Sequence, residues 1–369
     1  MKLAFFDLNS CGVNYQTQYI YQSLYSHFEY TKDLHDADII VMLGGCCCTE
    51  DAFQYTLRCI DYVLESKKST ATTLLCGCIT RGLKNSSELE GVNNFIHNNI
   101  DYVFDHYNYN ELIKKVLDYK NITPTLDDNY GMTLVDKDFA DLFIQNGCTH
   151  NCTFCKANYL NCRLIDAPLN EIKEQIDSLD EDNVNIVQLR GLNLSQYGLD
   201  LYHEYKLMEV CEYIENKKNI ETVILSNFAF QDAIKAKFAE RLKYLEKTSI
   251  ITGSLESGSN RLLKLMNKGF TKEEFLEFYY KINTLYRKTY RLNIISGFPT
   301  ETTQECLETL ELLKLINPSL VHINTYLDSK YIPSHNLEQL PYPEIRNHTR
   351  IYKRILKNNK IPYIINSAN

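Results

Sequence analysis

The feature that most constrains this chain is a repeated unit. A short apolar run of strand length is followed by a longer stretch with apolar residues at helical spacing. Such alternation leaves few folds open, because a strand, a helix and a further parallel strand pack back onto one sheet only as a right-handed crossover. The unit recurs in two blocks. In the first, placed at 1–120, the pattern predicts strands over 2–8, 38–43 and 72–75 and helices over 15–28, 50–66 and 111–119. Ala52, Phe53, Leu57, Ile60 and Val63 share one face of the second of these helices. This is the order of a small doubly wound α/β domain. Residues 121–138 have no sustained period and hold Pro124, Asp127, Asp128 and Gly131, so they read as a linker. In the second block, 139–369, strands are expected at 141–145, 185–189, 221–225, 249–254, 291–295 and 320–326. Helices are expected between them at 169–179, 203–216, 232–244, 272–286 and 303–316, with a final helix at 344–358 after Pro343. Six β/α units fall short of the eight that close a barrel, so the expected form is an open, partial (β/α)6 barrel. In both kinds of fold the chemistry sits in loops at the C-terminal ends of strands.

Composition narrows the function classes. A hydrophobic fraction of 44% and a charged fraction of 23% are those of a globular protein. A formal net charge of −8 lends no support to nucleic-acid binding, although it leaves room for a local basic patch. There is no apolar run long enough to span a bilayer, and Asp7 interrupts the N-terminal run too early for a signal peptide. A cytoplasmic protein without a membrane partner is therefore expected. The 13 cysteines are odd in number and clustered, which points to metal ligation or redox chemistry rather than disulfides.

Cys148, Cys152 and Cys155 stand at a C-x3-C-x2-C spacing directly after the first strand of the second block. Thiolates are soft ligands that suit iron–sulfur clusters or zinc. Three ligands on a four-iron cluster leave one iron open. A zinc site, which wants four closed ligands, would recruit Cys162 or His150. Placement after a barrel strand, and an aromatic residue before the last cysteine, favour the cluster. A second set lies in the first block: Cys11 after the first strand, Cys46, Cys47 and Cys48 after the next, and Cys76 and Cys78 after the third. Loops at one sheet edge converge, so these residues allow a second three-thiolate site, the alternative being a scatter of small buried cysteines. Cys59, Cys211 and Cys306 fall within expected helices and read as core.

At the triplet the chain resembles the radical S-adenosylmethionine superfamily, and over essentially all of 1–365 it resembles that superfamily's methylthiotransferase family. The likeness is carried by Asn9-Ser10-Cys11-Gly12-Val13-Asn14, Leu43-Gly44-Gly45-Cys46, Gly77-Cys78, Leu194 to Asp200, Glu256-Ser257-Gly258-Ser259, Met266-Asn267-Lys268-Gly269 and Gly297 to Thr302, in family order. The resemblance implies a radical S-adenosylmethionine barrel as the second domain and two [4Fe–4S] clusters. Cys148, Cys152 and Cys155 would hold the radical-generating cluster, and Cys11, Cys46 and Cys78 an auxiliary one. It further implies that sulfur on the auxiliary cluster is methylated by one S-adenosylmethionine. A radical from a second removes a substrate hydrogen, and the carbon radical captures the methylthio group. Phe154, Asn193, Glu256, Ser257, Gly258, Ser259, Gly297, Phe298 and Pro299 are the expected cofactor-binding residues. An electron donor such as flavodoxin or ferredoxin and a sulfide source are implied as partners.

Three departures bear on the substrate. The chain stops at Asn369, without the small β-barrel TRAM domain with which family members usually continue. Asn161-Cys162 and Asp166-Ala167 stand where the family usually has Arg-Gly and Ser-Arg pairs, although Arg163 and Arg190 are nearby. The net charge is acidic, whereas phosphate neutralisation normally supplies much of tRNA affinity. These shift the expected substrate toward a peptide or protein side chain, with a modified tRNA adenosine near the anticodon as the alternative. A zinc-stabilised binding module without catalysis is the competing reading from another class.

Overall fold

A computed structural model describes residues 1–8, 20–21, 23–45, 50–80, 90–105, 109–123, 132–136, 138–156 and 163–366. The chain divides at residue 128 into two units.

The first unit is built on a five-stranded parallel sheet. Its strands are β1 (Lys2–Asp7), β2 (Glu29–Tyr30), β3 (Ile39–Leu43), β4 (Thr72–Cys76) and β5 (Tyr102–Phe104), in the order β2-β1-β3-β4-β5. All five residues of β3 are buried, as a central parallel strand covered on both faces requires. The strand order reverses between β1 and β3, and a doubly wound sheet binds its ligands in the crevice at that switch point. Asp7 and Leu43 are paired at the strand ends that open this crevice.

The second unit holds an eight-stranded sheet of order β15-β14-β13-β12-β11-β10-β7-β6. Its strands are β6 (Met132–Asp136), β7 (Phe139–Phe143), β10 (Ile186–Arg190), β11 (Thr222–Phe228), β12 (Thr248–Glu256), β13 (Thr289–Ser296), β14 (Leu320–Thr325) and β15 (Tyr363–Asn366). A separate two-stranded ribbon pairs β8 (Gln145–Asn146) with β9 (Ile165–Asp166). From β7 to β15 neighbouring strands run parallel, and helices connect them. Ala140, Leu142, Val187, Leu189, Val223, Leu225, Leu292, Ile294, Val321 and Ile323 pack against those helices in one continuous core. The alternate residues Asp141, Gln188, Arg190, Ser254, Asn293, His322 and Asn324 occupy the opposite face. This is the partial barrel expected, extended at both edges.

Those edges differ from the sequence reading. The stretch read as linker contributes β6, which pairs antiparallel with β7. β15 follows the last helix as a further parallel strand. Both are short edge strands held by main-chain pairing, and such strands need no sustained apolar run. The helix expected over 232–244 is broken into Phe230–Lys235 and Ala239–Leu242, with Lys237 at φ +54° between them. Among the described residues no helix is long and apolar enough to cross a membrane.

Candidate functional site

The cysteine loop leaves the barrel at the C-terminal end of β7, and the β8–β9 ribbon closes its base. Gly147 opens the loop at φ +84°, and a Cβ there would stand 1.8 Å from the Arg163 carbonyl oxygen. No other residue fits that crossing. Gln145 fixes the approach: its Nε2 donates to the carbonyls of Asn146 (2.8 Å) and Gly147 (2.7 Å). Its Oε1 accepts the Asn193 backbone N–H at 2.9 Å, tying the β7 and β10 loops together. Further along, Thr149 N–H donates to Gln196 Oε1 (3.0 Å), and Gln196 Nε2 returns a bond to Thr149 Oγ1 (2.8 Å). Thr153 bonds Leu265 O and Met266 O, and Asn267 Nδ2 reaches Asn151 O. The Met266–Gly269 motif is thus a clamp on the cysteine loop.

Cys148, Cys152 and Cys155 are reduced cysteines on this pinned loop. Cys148 Sγ accepts bonds from the His150 N–H (3.5 Å) and from Asn193 Nδ2 (3.4 Å). Burial pushes the Cys148 thiol up, against those two donors. Burial pushes Cys152 up to about 11, with the Lys268 charge opposing. Asn193 Oδ1 is buried without a partner beside Cys148.

The donor set fits a cluster better than a single ion. Three thiolates on one zinc at a Zn–S distance of about 2.3 Å would stand about 3.8 Å apart. Among the described residues, the trio with ligand atoms all within 4.8 Å of one another is Glu301–Cys306–His348, not these cysteines. Of the fourth ligands considered for zinc, His150 is engaged on both ring nitrogens. Nε2 lies 2.9 Å from Asp232 Oδ2, and Nδ1 faces Gln231 Nε2. Cys162 lies outside the described residues.

Glu256 ends β12 at φ +67°, with its carboxylate 3.6 Å from Lys268 Nζ and both side chains buried. Burial pushes the Glu256 carboxyl up, and Lys268 opposes. The Lys268 ammonium also lies 6.0 Å from the Phe154 ring centroid. Phe154 packs at the margin of an apolar cluster that includes Met266, Ile295, Phe298 and Tyr326. Ser257 Oγ is shared with Thr309 Oγ1 (3.3 Å), Gly258 N–H donates to the same oxygen (2.8 Å), and Ser259 Oγ donates to Glu305 Oε1 (2.8 Å). These two hydroxyls therefore serve the helix Thr303–Ile316, and only the backbone of this turn is left for a ligand. Phe298 is fully buried, so its loop likewise offers backbone groups alone. Gly297 turns at φ +79°, its N–H donating to Glu301 Oε2 (2.6 Å). That carboxylate also meets His348 Nδ1 (3.0 Å) and the Tyr352 hydroxyl (3.3 Å). The compact Glu301–Cys306–His348 trio is thereby explained as the support of the Gly297 turn.

The barrel thus gathers Cys148, Cys152, Phe154, Asn193 and Glu256 around one loop. Cys11 and Cys46 lie outside the described residues, as do Cys47 and Cys48; Cys78 is half-buried in the first unit. Cys76 is buried, donates to Asp105 O at 3.4 Å and is pushed up to about 12 by burial, as a core thiol is. Cys211 and Cys306 are core residues and Cys59 is half-buried. Sequence reasoning missed the polar shell of Gln145, Gln196, Tyr205 and Asp232. Burial alone would push Asp232 up, but bonds from His150, Asn193 and Gln196 hold it below the usual range. Its only sequence signal is its position shortly after a barrel strand.

Comparison with known proteins agrees with this geometry. Residues 142–313 match the model of the radical SAM superfamily, which implies a [4Fe–4S] cluster and S-adenosylmethionine. The chain is 34% identical over 221 residues to the threonylcarbamoyladenosine tRNA methylthiotransferase MtaB of Aquifex aeolicus, covering 58% of this chain and 52% of that protein. It is 25% identical to the tRNA-2-methylthio-N(6)-dimethylallyladenosine synthase of Desulforamulus reducens, over 84% of this chain and 70% of that one. It is 26% identical to the ribosomal protein uS12 methylthiotransferase RimO of Clostridium perfringens, over 87% and 74%. The matched region thus spans about half of the first relative and about three quarters of the others. Among solved structures, the radical S-adenosylmethionine methyltransferase TsrM of Kitasatospora setae shares the fold with a TM-score of 0.59 at 11% identity, over 90% of this chain and 77% of that one. By these matches the chain is similar to the methylthiotransferase family of radical S-adenosylmethionine enzymes.

Proposed function

We propose that this protein inserts a methylthio group into an unactivated C–H bond of a macromolecular substrate. The observation that carries the reading is the pinned three-thiol loop at the end of β7, set beside an unmatched buried acceptor on Asn193. Cys148, Cys152 and Cys155 would hold one four-iron cluster, and Cys11, Cys46 and Cys78, on the domain assigned to 1–120, a second. When bound, these groups and S-adenosylmethionine supply the hydrogen-abstracting radical and the sulfur. The chain's own residues do the positioning. Gln145 and Gln196 hold the loop, Asn193 donates to the Cys148 sulfur, and Lys268 sets a buried positive charge near Cys152. Glu301 presents the Gly297 turn, whose backbone is the assigned adenine contact.

Between the two substrate classes, net charge favours a peptide or protein side chain. The basic face of the last helix, described below, favours RNA, and two of the three relatives above are named for tRNA. We take the RNA reading, an adenosine near the anticodon. A flavodoxin- or ferredoxin-type electron donor and a sulfide source complete the system.

Anaerobic reconstitution tests the chemistry. Wild type should bind about eight irons per chain, as two four-iron clusters require. It should convert S-adenosylmethionine to both 5′-deoxyadenosine and S-adenosylhomocysteine. A Cys148→Ser, Cys152→Ser, Cys155→Ser variant should halve the iron and form no 5′-deoxyadenosine. The same changes at Cys11, Cys46 and Cys78 should halve the iron and leave 5′-deoxyadenosine formation. A wild type limited to four irons would remove the auxiliary cluster from the reading.

A further inference from the structure

The last helix, Tyr342–Asn358, differs in charge from the rest of the chain. Against a net charge of −8, it carries Arg346, Arg350, Lys353, Arg354 and Lys357, with Lys360 just beyond and Glu344 as its single acid. At about 100° per residue, Tyr342 and the five helical cations fall within an arc of about 120°. His348, Tyr352 and Leu356 point the other way, into the core. All six cations are exposed, and among the described residues none makes an ion pair. Elsewhere several surface cations are matched, among them Lys217 with Asp177, Arg241 with Glu212, Arg261 with Glu305 and Lys281 with Glu240. Like charges four apart, as at Arg346/Arg350, Arg350/Arg354 and Lys353/Lys357, weaken a helix unless an external anion offsets them.

Two further observations select the anion. Tyr342 is 68% exposed, and the Arg346 guanidinium lies 5.8 Å from its ring centroid. An aromatic face beside a row of cations is the arrangement that binds unpaired bases and their phosphates. A membrane-surface helix instead needs an apolar face free for lipid, and here that face is buried in the barrel. A groove lined by Thr325, Tyr342, Ile345, Arg346, Arg350 and Lys353 runs along the stripe. Thr325 ends β14, and Ile345 packs so closely on Gly297 that a Cβ there would meet it at 2.5 Å. The stripe therefore begins beside the loop assigned to the cofactor.

We infer that the Arg346–Lys357 face is a docking surface for the phosphodiester backbone of RNA, which rests on the reading that the substrate is RNA. The test measures binding of a fluorescein-labelled RNA stem–loop to the full chain by anisotropy across a salt series. Five phosphate contacts give a slope of log K against log[salt] of about −3.5. Arg346→Gln, Arg350→Gln, Lys353→Gln and Lys357→Gln combined should reduce that slope by about 3 and weaken binding by about 600-fold at 0.1 M salt. Arg346→Lys with Arg350→Lys should keep most of the affinity, and Lys218→Gln with Lys314→Gln, two exposed lysines away from this helix, should change nothing. Iron content and uncoupled 5′-deoxyadenosine formation should stay at wild-type level in every variant, which separates this surface from the chemistry. An unchanged slope in the fourfold variant would overturn the inference. So would loss of binding to phosphatidylserine vesicles, or to an acidic flavoprotein, with RNA binding intact.

Discussion

Lys268→Met isolates a buried Lys–Glu ion pair that stands against the cysteine loop. Lys268 and Glu256 are both under 10% exposed and 3.6 Å apart. At an effective dielectric constant of about 20, a pair at that distance is worth roughly 4–5 kcal/mol before desolvation is counted. Removing the lysine leaves a buried carboxylate without its counter-charge, a change that typically costs about 3–5 kcal/mol. The carboxyl has an escape, however, because it can take up a proton. From its ordinary value of 4.5, protonation at pH 7 costs about 3.4 kcal/mol, and that figure is a ceiling on the damage. At pH 5 the same ceiling is about 0.7 kcal/mol. Burial already pushes Glu256 up, so the escape lies in the direction the site favours. Urea unfolding of iron-free protein, followed through the barrel transition, should show a loss of about 3 kcal/mol at pH 7 that shrinks below about 1 kcal/mol at pH 5. Adding Glu256→Gln should recover most of the loss at pH 7. A penalty that stays the same at both pH values, or that the second substitution does not relieve, would refute the argument. It would mean that Lys268 acts through packing on Phe154 and Phe270 and not through charge.

Gly147→Ala forces a Cβ into the Arg163 carbonyl at φ +84°, so it should cost more than about 2 kcal/mol and lower the iron bound by the barrel, read by reconstitution. Asp166, whose Oδ2 accepts the Gly198 and Asp200 N–H groups, is pushed up to about 6 by burial. Its folded value lies above its unfolded one, so its contribution is fully present below about 4 and is lost as pH rises through about 6, a swing of about 3 kcal/mol. About 2 kcal/mol of that swing falls between pH 4.5 and 7.5, and Asp166→Asn should remove it from urea unfolding free energies measured at those two values; its persistence would assign the swing elsewhere.

What could be read from the sequence follows the range of the interactions involved. The β/α alternation is a local pattern, and β3, with five consecutive buried residues, is legible because a strand covered on both faces leaves no polar position. β6 and β15 were not legible, since pairing with a distant strand defines them and five or four residues carry no period of their own. The same division runs through the site. The cysteine spacing is local, but the residues that hold it are remote: Gln196 is 47 positions from Thr149, and Thr153 is 112 from Leu265. Roles that a motif leaves alike are divided by the contacts each turn makes in the fold. The Glu256–Ser259 and Gly297–Pro299 turns look alike as glycine loops. In the structure the first gives its serine hydroxyls to the helix beneath it, and the second is propped by Glu301.

Charge shows most sharply how a whole-chain average can mislead. A net of −8 argued against a polyanionic substrate, yet affinity for RNA depends on how many phosphates a surface meets, not on the sum over the molecule. Screening makes the distinction physical: at 0.15 M ionic strength charges beyond about 8 Å are largely silenced. Acids elsewhere on the chain, already matched to Lys217, Arg241, Arg261 and Lys281, then do little to repel a strand lying along the last helix. Five cations within a 17-residue helix, by contrast, act together on that strand. The relevant sequence signal was therefore present as a run between Arg346 and Lys357. It was hidden because charge was summed before the helix gave it a face.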